Sequence, residues 1–168
     1  MKLYRILALL PTMIFGVGFE AAWAEQGFAA GVFTVLAQGT QSGIERQRFE
    51  TLRDAAALRK LWQAHTAGVS PSPPIPDVDF SKEMVIAAFA GTRNSGGYAL
   101  SVSRITVYPD RIEIDLSLTQ PGSDCMVTEA LTQPFVFAKT AQSGDKAVNF
   151  NLATASRGCG ADKEPVRK

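Results

Sequence analysis

A single histidine, His65, limits the acid–base chemistry available to this chain of 168 residues. Histidine is the side chain whose ordinary pKa lies nearest neutral pH, so a serine or cysteine nucleophile would need His65 as its base. The chain contains no Gly-x-Ser-x-Gly motif, and His65 follows Trp62 by one turn on the packing side of an expected helix. We therefore expect His65 to be a structural or surface histidine and the protein not to be an enzyme.

Two other polar patterns resemble chemical motifs. Residues 143–146 (SGDK) fit the Ser-x-x-Lys pattern, but they stand where a turn is expected, and Ser, Gly and Asp are good turn residues. Asp77, Asp79, Ser81 and Glu83 alternate oxygen-bearing side chains of the kind that calcium binds, but an EF-hand's glycine and distal glutamate are missing. We expect the second group to end a proline-rich segment, and we expect no metal or cofactor.

The segment Gly91–Tyr98 (GTRNSGGY) is the most distinctive in the chain. Adjacent glycines permit positive φ angles and close backbone approach, and successive N–H groups in such a loop can hold an anion. An arginine adds a charged fork, and two small polar side chains add hydrogen bonds. The loop is either a strand connection that needs glycine for its shape or a partner-binding loop. In the second case the binding residues are Arg93, Asn94, Ser95, Gly96, Gly97 and Tyr98.

The amino terminus has the layout of a secretory signal peptide. Lys2 and Arg5 precede an uncharged run over 6–19, and Ala22-Trp23-Ala24 supplies small residues at a cleavage site. A membrane anchor is the alternative, but a span needs roughly 20 apolar residues and this run is shorter. We expect cleavage after Ala24 and a periplasmic or secreted mature chain without a membrane span.

The mature chain holds both cysteines, Cys125 and Cys159. An even count in an oxidising compartment favours a disulfide between them. Two free thiols remain the alternative, because sequence does not show whether the two Cα atoms come close enough.

The composition excludes several classes of protein. The whole chain is 46% hydrophobic and 20% charged with a formal net charge of +1, which is the balance of a globular protein rather than of a nucleic-acid binder. Residues 25–168 have the length of a single domain.

One helix is expected, from Asp54 to Ala67. Asp54 can cap it, Gly68 can end it, and apolar residues recur on one side at spacings of three and four. The proline-rich stretch 69–79 that follows is either a stiff surface connection or a ligand for a polyproline-binding domain.

About seven strands are expected in the rest of the mature chain. Residues 84–90 (MVIAAFA) predict a central strand buried on both faces, and 111–119 alternate between apolar and polar side chains, as in an antiparallel sheet. A slip in the alternation at Ser103–Arg104 predicts a bulge. Residues 134–139 and 146–152 suggest a final hairpin. The fold class is therefore α+β: a mainly antiparallel curled sheet or partial barrel with one packed helix.

Several of these segments together carry a family resemblance. Trp62…His65, Pro73-Pro74, residues 78–85 (VDFSKEMV), Gly91–Tyr98 and residues 130–135 (ALTQPF) are similar to the PrcB C-terminal-domain family, over about residues 44–152. Two departures are visible: Ser95 replaces a threonine that is common in the family, and no lipid-attachment cysteine lies near the expected cleavage site.

The resemblance implies a partner rather than a reaction. The family is named after an accessory subunit of a secreted protease complex and is not itself a protease. We expect an exported, non-enzymatic protein-binding domain that serves as an accessory or stabilising subunit for a protease. The alternatives are a protease inhibitor, which would need a rigid exposed loop, and a small hydrolase of the cell envelope, which would need His65.

Overall fold

The computed structural model describes residues 28–160. The expected signal peptide, residues 1–24, lies outside them. The described elements follow one another as β1 (Ala29–Ala30), β2 (Phe33–Gly39), β3 (Arg48–Leu52), α1 (Ala55–His65), β4 (Glu83–Phe89), β5 (Ala99–Val107), β6 (Arg111–Pro121), β7 (Phe135–Ala141) and β8 (Ala147–Arg157). No helix in this part of the chain is long and apolar enough to cross a membrane.

The strands form two four-stranded sheets. The first has the order β1-β5-β6-β8 and the second the order β2-β7-β4-β3. Every neighbouring pair is antiparallel except β6 and β8, which run parallel. The predicted α+β class with a mainly antiparallel, curled sheet is confirmed, and the sheets do not close into a barrel.

The core has two parts because the second sheet is covered on both faces. In β4, Met84, Ile86 and Ala88 face the first sheet, and the alternate residues Val85, Ala87 and Phe89 face α1. Packing on both faces explains why this strand has no polar residue after Glu83, and the predicted central position of the strand is confirmed. The outer face of the first sheet is polar, as the alternation along β6 predicted.

The helix begins and ends where its residues indicated. The Asp54 carboxylate accepts a hydrogen bond from the Ala57 backbone N–H at 2.8 Å, and Gly68 takes a φ of 85° beyond the last turn. The apolar side of the helix packs on the second sheet through Leu58, Leu61, Trp62 and His65. The predicted bulge in β5 is also present, as a register shift between Val102 and Arg104.

The expected final hairpin is wrong. β7 lies in the second sheet between β2 and β4, whereas β8 crosses to the first sheet and pairs in parallel with β6. The connection between them is a crossover between layers, held by the Arg53 guanidinium, which donates to the backbone carbonyls of Gly144 and Lys146. Local turn residues do not reveal this clamp, because Arg53 lies about ninety positions earlier in the chain.

Candidate functional site

The Gly91–Tyr98 segment, the glycine loop, is pinned to residues 126–132, which we call the facing segment. Arg93 and Thr132 exchange two backbone hydrogen bonds of 2.7 and 3.0 Å, and the Gly96 N–H donates to the Thr128 carbonyl at 2.9 Å. The Thr132 hydroxyl also donates to the Ser95 carbonyl at 2.8 Å. The two segments therefore run antiparallel, and they continue the pairing of β4 and β7 beyond the end of β4 and the start of β7.

Glycine is required at two corners of this loop. Gly91 and Gly97 have φ angles of 79° and 85°, which side chains of L-residues rarely adopt. A Cβ at Gly91 would lie 2.8 Å from the Gln47 backbone nitrogen, and one at Gly97 would lie 3.0 Å from the Cβ of Pro121. The two glycines therefore allow the backbone to pack closely here, as expected for a strand connection that needs glycine for its shape.

The Arg93 guanidinium lies against the loop itself, and Arg93 is partly buried. Its Nη2 donates to the Ala90 carbonyl at 2.9 Å, and its guanidinium carbon lies 5.7 Å from the centre of the Tyr98 ring. Its Nε is buried without a hydrogen-bond partner among the described residues. Within the predicted partner-binding set, Asn94 and Gly97 are exposed and the other four residues are partly buried. That set stays a prediction, with Arg93 placed inside the loop.

The facing segment exposes apolar side chains that the sequence interpretation did not select. Met126 is fully exposed at 101%, Leu131 is 65% exposed and Val127 is 38% exposed. Large apolar side chains gathered on one exposed segment are a common feature of interaction sites. One feature of the sequence could have indicated these residues: Met126 and Val127 are two apolar residues directly after Cys125, inside a stretch otherwise rich in polar and turn residues.

A shallow hollow of about 440 Å³ lies between the loop and the carboxyl ends of β6 and β8. Its walls combine small, apolar and cationic side chains with the disulfide. The lining residues include Gly97, Thr119, Pro121, Met126, Val127 and Arg157.

The predicted disulfide between Cys125 and Cys159 is confirmed, with the two Cα atoms 5.0 Å apart. Hydrogen bonds support the same junction. The Asp124 carboxylate accepts from the Cys159 and Gly160 N–H groups, each at 3.0 Å, and the Gly122 N–H donates to the Arg157 carbonyl at 2.8 Å. The facing segment is therefore fixed at one end by the disulfide and along its length by the glycine loop.

His65 lies in the part of the core between α1 and the second sheet. It is 5% exposed, its Nδ1 lies 2.9 Å from the Ser42 hydroxyl oxygen, and its ring centre lies 4.1 Å from that of Phe135. Burial lowers the pKa of His65 from 6.5 to about 4. The imidazole is thus neutral near pH 7 and packed among aromatic rings, and both cysteines are bonded to each other.

The remaining motifs are held by local structure. Ser143 lies 3.5 Å from the Met84 sulfur, and the Lys146 ammonium donates to the Tyr108 carbonyl at 2.9 Å, so these two side chains face different partners. The Asp79 carboxylate accepts from the Ser81 N–H and hydroxyl, as a residue that ends the proline-rich segment would. Residues 28–160 contain no group of three or more His, Cys, Asp or Glu side chains arranged to hold a metal.

Comparison with known proteins gives one match, to a family. No curated protein and no solved structure matches the chain. The family model described as PrcB C-terminal matches residues 84–141, a range that contains both the glycine loop and the facing segment. The match confirms the resemblance: residues 84–141, from β4 to the end of β7, are similar to the PrcB C-terminal family.

Proposed function

We propose that this protein is an exported, non-enzymatic binding domain that docks on another protein, with a protease as the partner, through the glycine loop and the facing segment. The observation that carries the proposal is the exposure of Met126 and Leu131 on a segment held rigid by the disulfide and the loop. The family match supports a protease-associated accessory role.

The rigidity of the facing segment favours binding. Side chains and loops that must be ordered on association reduce affinity, and a segment that is already ordered avoids much of that loss. Three backbone hydrogen bonds to the glycine loop hold the segment from Thr128 to Thr132, and the disulfide holds its start. Met126 is flexible and polarisable, so it adapts to the shape of a partner.

The surroundings of these apolar side chains fit the margin of an interface. Glu129 is an exposed polar residue between Met126 and Leu131 on the facing segment, and Thr92 and Asn94 are exposed on the loop on either side of Arg93, which pairs with Thr132. Protein interfaces commonly combine an apolar centre with a polar, solvent-accessible rim. Asn94 is therefore the member of the predicted binding set that is best placed to donate to a partner.

Export is part of this proposal. The charged start, the apolar run and Ala22-Trp23-Ala24 support cleavage after Ala24 and a periplasmic or secreted location. Amino-terminal sequencing of the protein taken from the cell envelope or the medium should find Glu25 first. A mature protein that begins at Met1 would contradict the proposal.

The docking surface can be tested by charge substitution. Met126→Asp and Leu131→Asp should each weaken binding to the partner that co-purifies with the protein by roughly tenfold or more, because each places an unpaired charge in a desolvated contact. Ile75→Asp is the control, since Ile75 is an exposed apolar residue in the proline-rich segment. Equal binding by all three variants would contradict the proposed surface.

Protease inhibition is a second candidate that uses the same surface. An inhibitor presents an exposed and rigid segment to a protease, and residues 126–131 are exposed and begin beside a disulfide. Assays of the partner protease separate the two functions: an accessory subunit should raise its stability or yield without blocking turnover, whereas an inhibitor should block turnover.

A further inference from the structure

Of the four strands at the edges of the two sheets, three are short or interrupted. β1 has two residues, β3 has five, and β2 carries a register shift between Val35 and Ala37. Natural sheets commonly protect their edges in these ways, because an unpaired edge can pair with another chain. β8 is different: it has 11 residues and, among the described residues, pairs with β6 alone.

Within residues 28–160, the free edge of β8 has no bulge and, before Arg157, no charge or proline of the kind that protects sheet edges. Residues 147–156 (AVNFNLATAS) contain no charged residue, no proline and no glycine. The pairing of β8 with β6 continues without a register shift from Ala147 to Arg157. A long, regular and uncharged edge of this kind is suited to accepting another strand.

The inward side chains of β8 are incompletely covered. Val148, Phe150 and Leu152 pack against the core between the sheets but are only partly buried. The ring of Phe150 lies 5.8 Å from that of Phe49 on β3, at the open side between the two sheets. A strand added beside β8 would supply the neighbour that these side chains lack.

The order of residues in β8 identifies the added strand. Ala147–Ala153 (AVNFNLA) has the same order of residue classes in both directions, with Phe150 at its centre. A two-fold axis at Phe150 would place Val148 opposite Leu152 of the second copy, Asn149 opposite Asn151, and Phe150 opposite itself. We propose that two copies of this chain pair through antiparallel β8 strands in this register, joining their first sheets into one sheet of eight strands.

This register satisfies the requirements of a symmetric contact. A two-fold interface must be complementary to itself, and here apolar residues meet apolar residues on the inner face while asparagines meet on the outer face. The segment has no charge, so the axis brings no like charges together. The only charged residue of β8, Arg157, lies four positions beyond Ala153.

The dimer contact is separate from the proposed docking surface. Ala147–Ala153 pair with Arg111–Ser117, at the start of β6, whereas the disulfide and the hollow lie where Pro121 meets Arg157. Loss of the dimer should therefore leave partner binding through Met126 and Leu131 in place, and the two proposals can fail independently.

Sedimentation of the purified protein with its disulfide intact tests the dimer. The unmodified protein should be a dimer, and Asn149→Lys combined with Asn151→Lys should be a folded monomer, because each lysine would face a lysine of the second copy. Ser103→Lys combined with Ser117→Lys adds the same charge to the first sheet away from the free edge and should remain a dimer. A monomeric unmodified protein, or a dimeric Asn149/Asn151 variant, would overturn the proposal.

Cysteine crosslinking tests the register. A mixture of the Asn149→Cys and Asn151→Cys proteins should form an intermolecular disulfide between positions 149 and 151. Each variant alone should crosslink at least about tenfold less, because its two cysteines would lie about 7–8 Å apart or more across the axis rather than directly opposite. Equal crosslinking by the mixture and by either single variant would overturn this register.

Discussion

His65 shows how one side chain can be removed from acid–base chemistry by its surroundings. The imidazole lies between α1 and the aromatic residues of the second sheet, and its Nδ1 meets the Ser42 hydroxyl. The Ser42 hydroxyl oxygen also accepts from the Ile44 N–H at 3.1 Å, which fixes the loop that follows β2 against the end of the helix. The residue therefore contributes to packing in its neutral form.

The free energy of unfolding should depend on pH through His65. The pKa of His65 is about 4 in the folded state and 6.5 ordinarily, so between these values the unfolded chain binds more protons. The contribution is fully present above pH 6.5 and is lost as the pH falls towards 4. Urea titrations should show a loss of about 2 kcal/mol between pH 7 and pH 5 from this group.

A variant without the imidazole separates this effect from the titration of carboxylates. His65→Gln should be less stable at pH 7, and its free energy of unfolding should change less between pH 7 and pH 5 than that of the unmodified protein. An identical pH dependence in both proteins would contradict the assignment to His65.

Arg93 should contribute to stability because its guanidinium faces the loop itself. Arg93→Ala removes the hydrogen bond to the Ala90 carbonyl and the contact with the Tyr98 ring. Hydrogen bonds of charged groups contribute about 1.5–3 kcal/mol, so we expect a loss of this order in urea denaturation. Asn94→Ala, at an exposed neighbour, should change the free energy of unfolding by about 0.5 kcal/mol or less. Equal stability of the two variants would show that Arg93 faces solvent.

The position of the candidate loop could be predicted from the sequence, but the direction of its side chains could not. Glycine pairs and small polar residues are local signals, and they identified Gly91–Tyr98. The direction of the Arg93 side chain, towards the loop itself, depends on Thr132, which lies 39 positions later in the chain and pairs with Arg93. The exposure of Met126 also depends on residues distant in sequence, because the disulfide joins Cys125 to Cys159 after the end of β8.

At the level of elements, the junction of Cys125 and Cys159 fixes the facing segment to the last strand. The disulfide, the Asp124 carboxylate and the bond between Gly122 and Arg157 all join the chain after β6 to the chain after β8. The ends of the parallel pair are thus held together by covalent and hydrogen bonds at one place.

Removal of this disulfide should destabilise the protein and loosen the facing segment. The combined variant Cys125→Ser, Cys159→Ser should lose about 2–4 kcal/mol in free energy of unfolding. Hydrogen exchange should rise at residues 122–132, and binding through Met126 should weaken. The unmodified protein under reducing conditions should behave in the same way. Unchanged stability and exchange would show that the hydrogen bonds of Asp124 and Gly122 suffice to hold the junction.

Helices and strands could be predicted where the sequence pattern that defines them lies within the element itself. The cap at Asp54 and the apolar spacing define α1, and strict alternation defines β6, because each of these depends on neighbours a few residues away. The partner of β8 was not predictable in this way. Consecutive strands joined by a short turn usually pair, whereas here the turn crosses between layers and is held by Arg53.

At the scale of the whole molecule, the helix, the second sheet and the first sheet form three layers. The second sheet lies in the middle and is apolar on both faces, whereas the first sheet has a polar outer face. The partial-barrel expectation captured the curled sheets. It did not capture their separation into two, which arises because β2, β5, β7 and β8 each lie in the other sheet from the strand before them.

The Cys125–Cys159 bond also makes the chain locally circular. It closes a ring that contains β7 in the second sheet and β8 in the first. A single backbone cut anywhere inside the ring, including the exposed stretch from Met126 to Leu131, leaves both fragments covalently joined. A nicked molecule would therefore keep its mass in a non-reducing gel and separate into two bands only after reduction. Beside the proposed protease partner, the domain would in this way survive one cleavage in this exposed segment as a single particle.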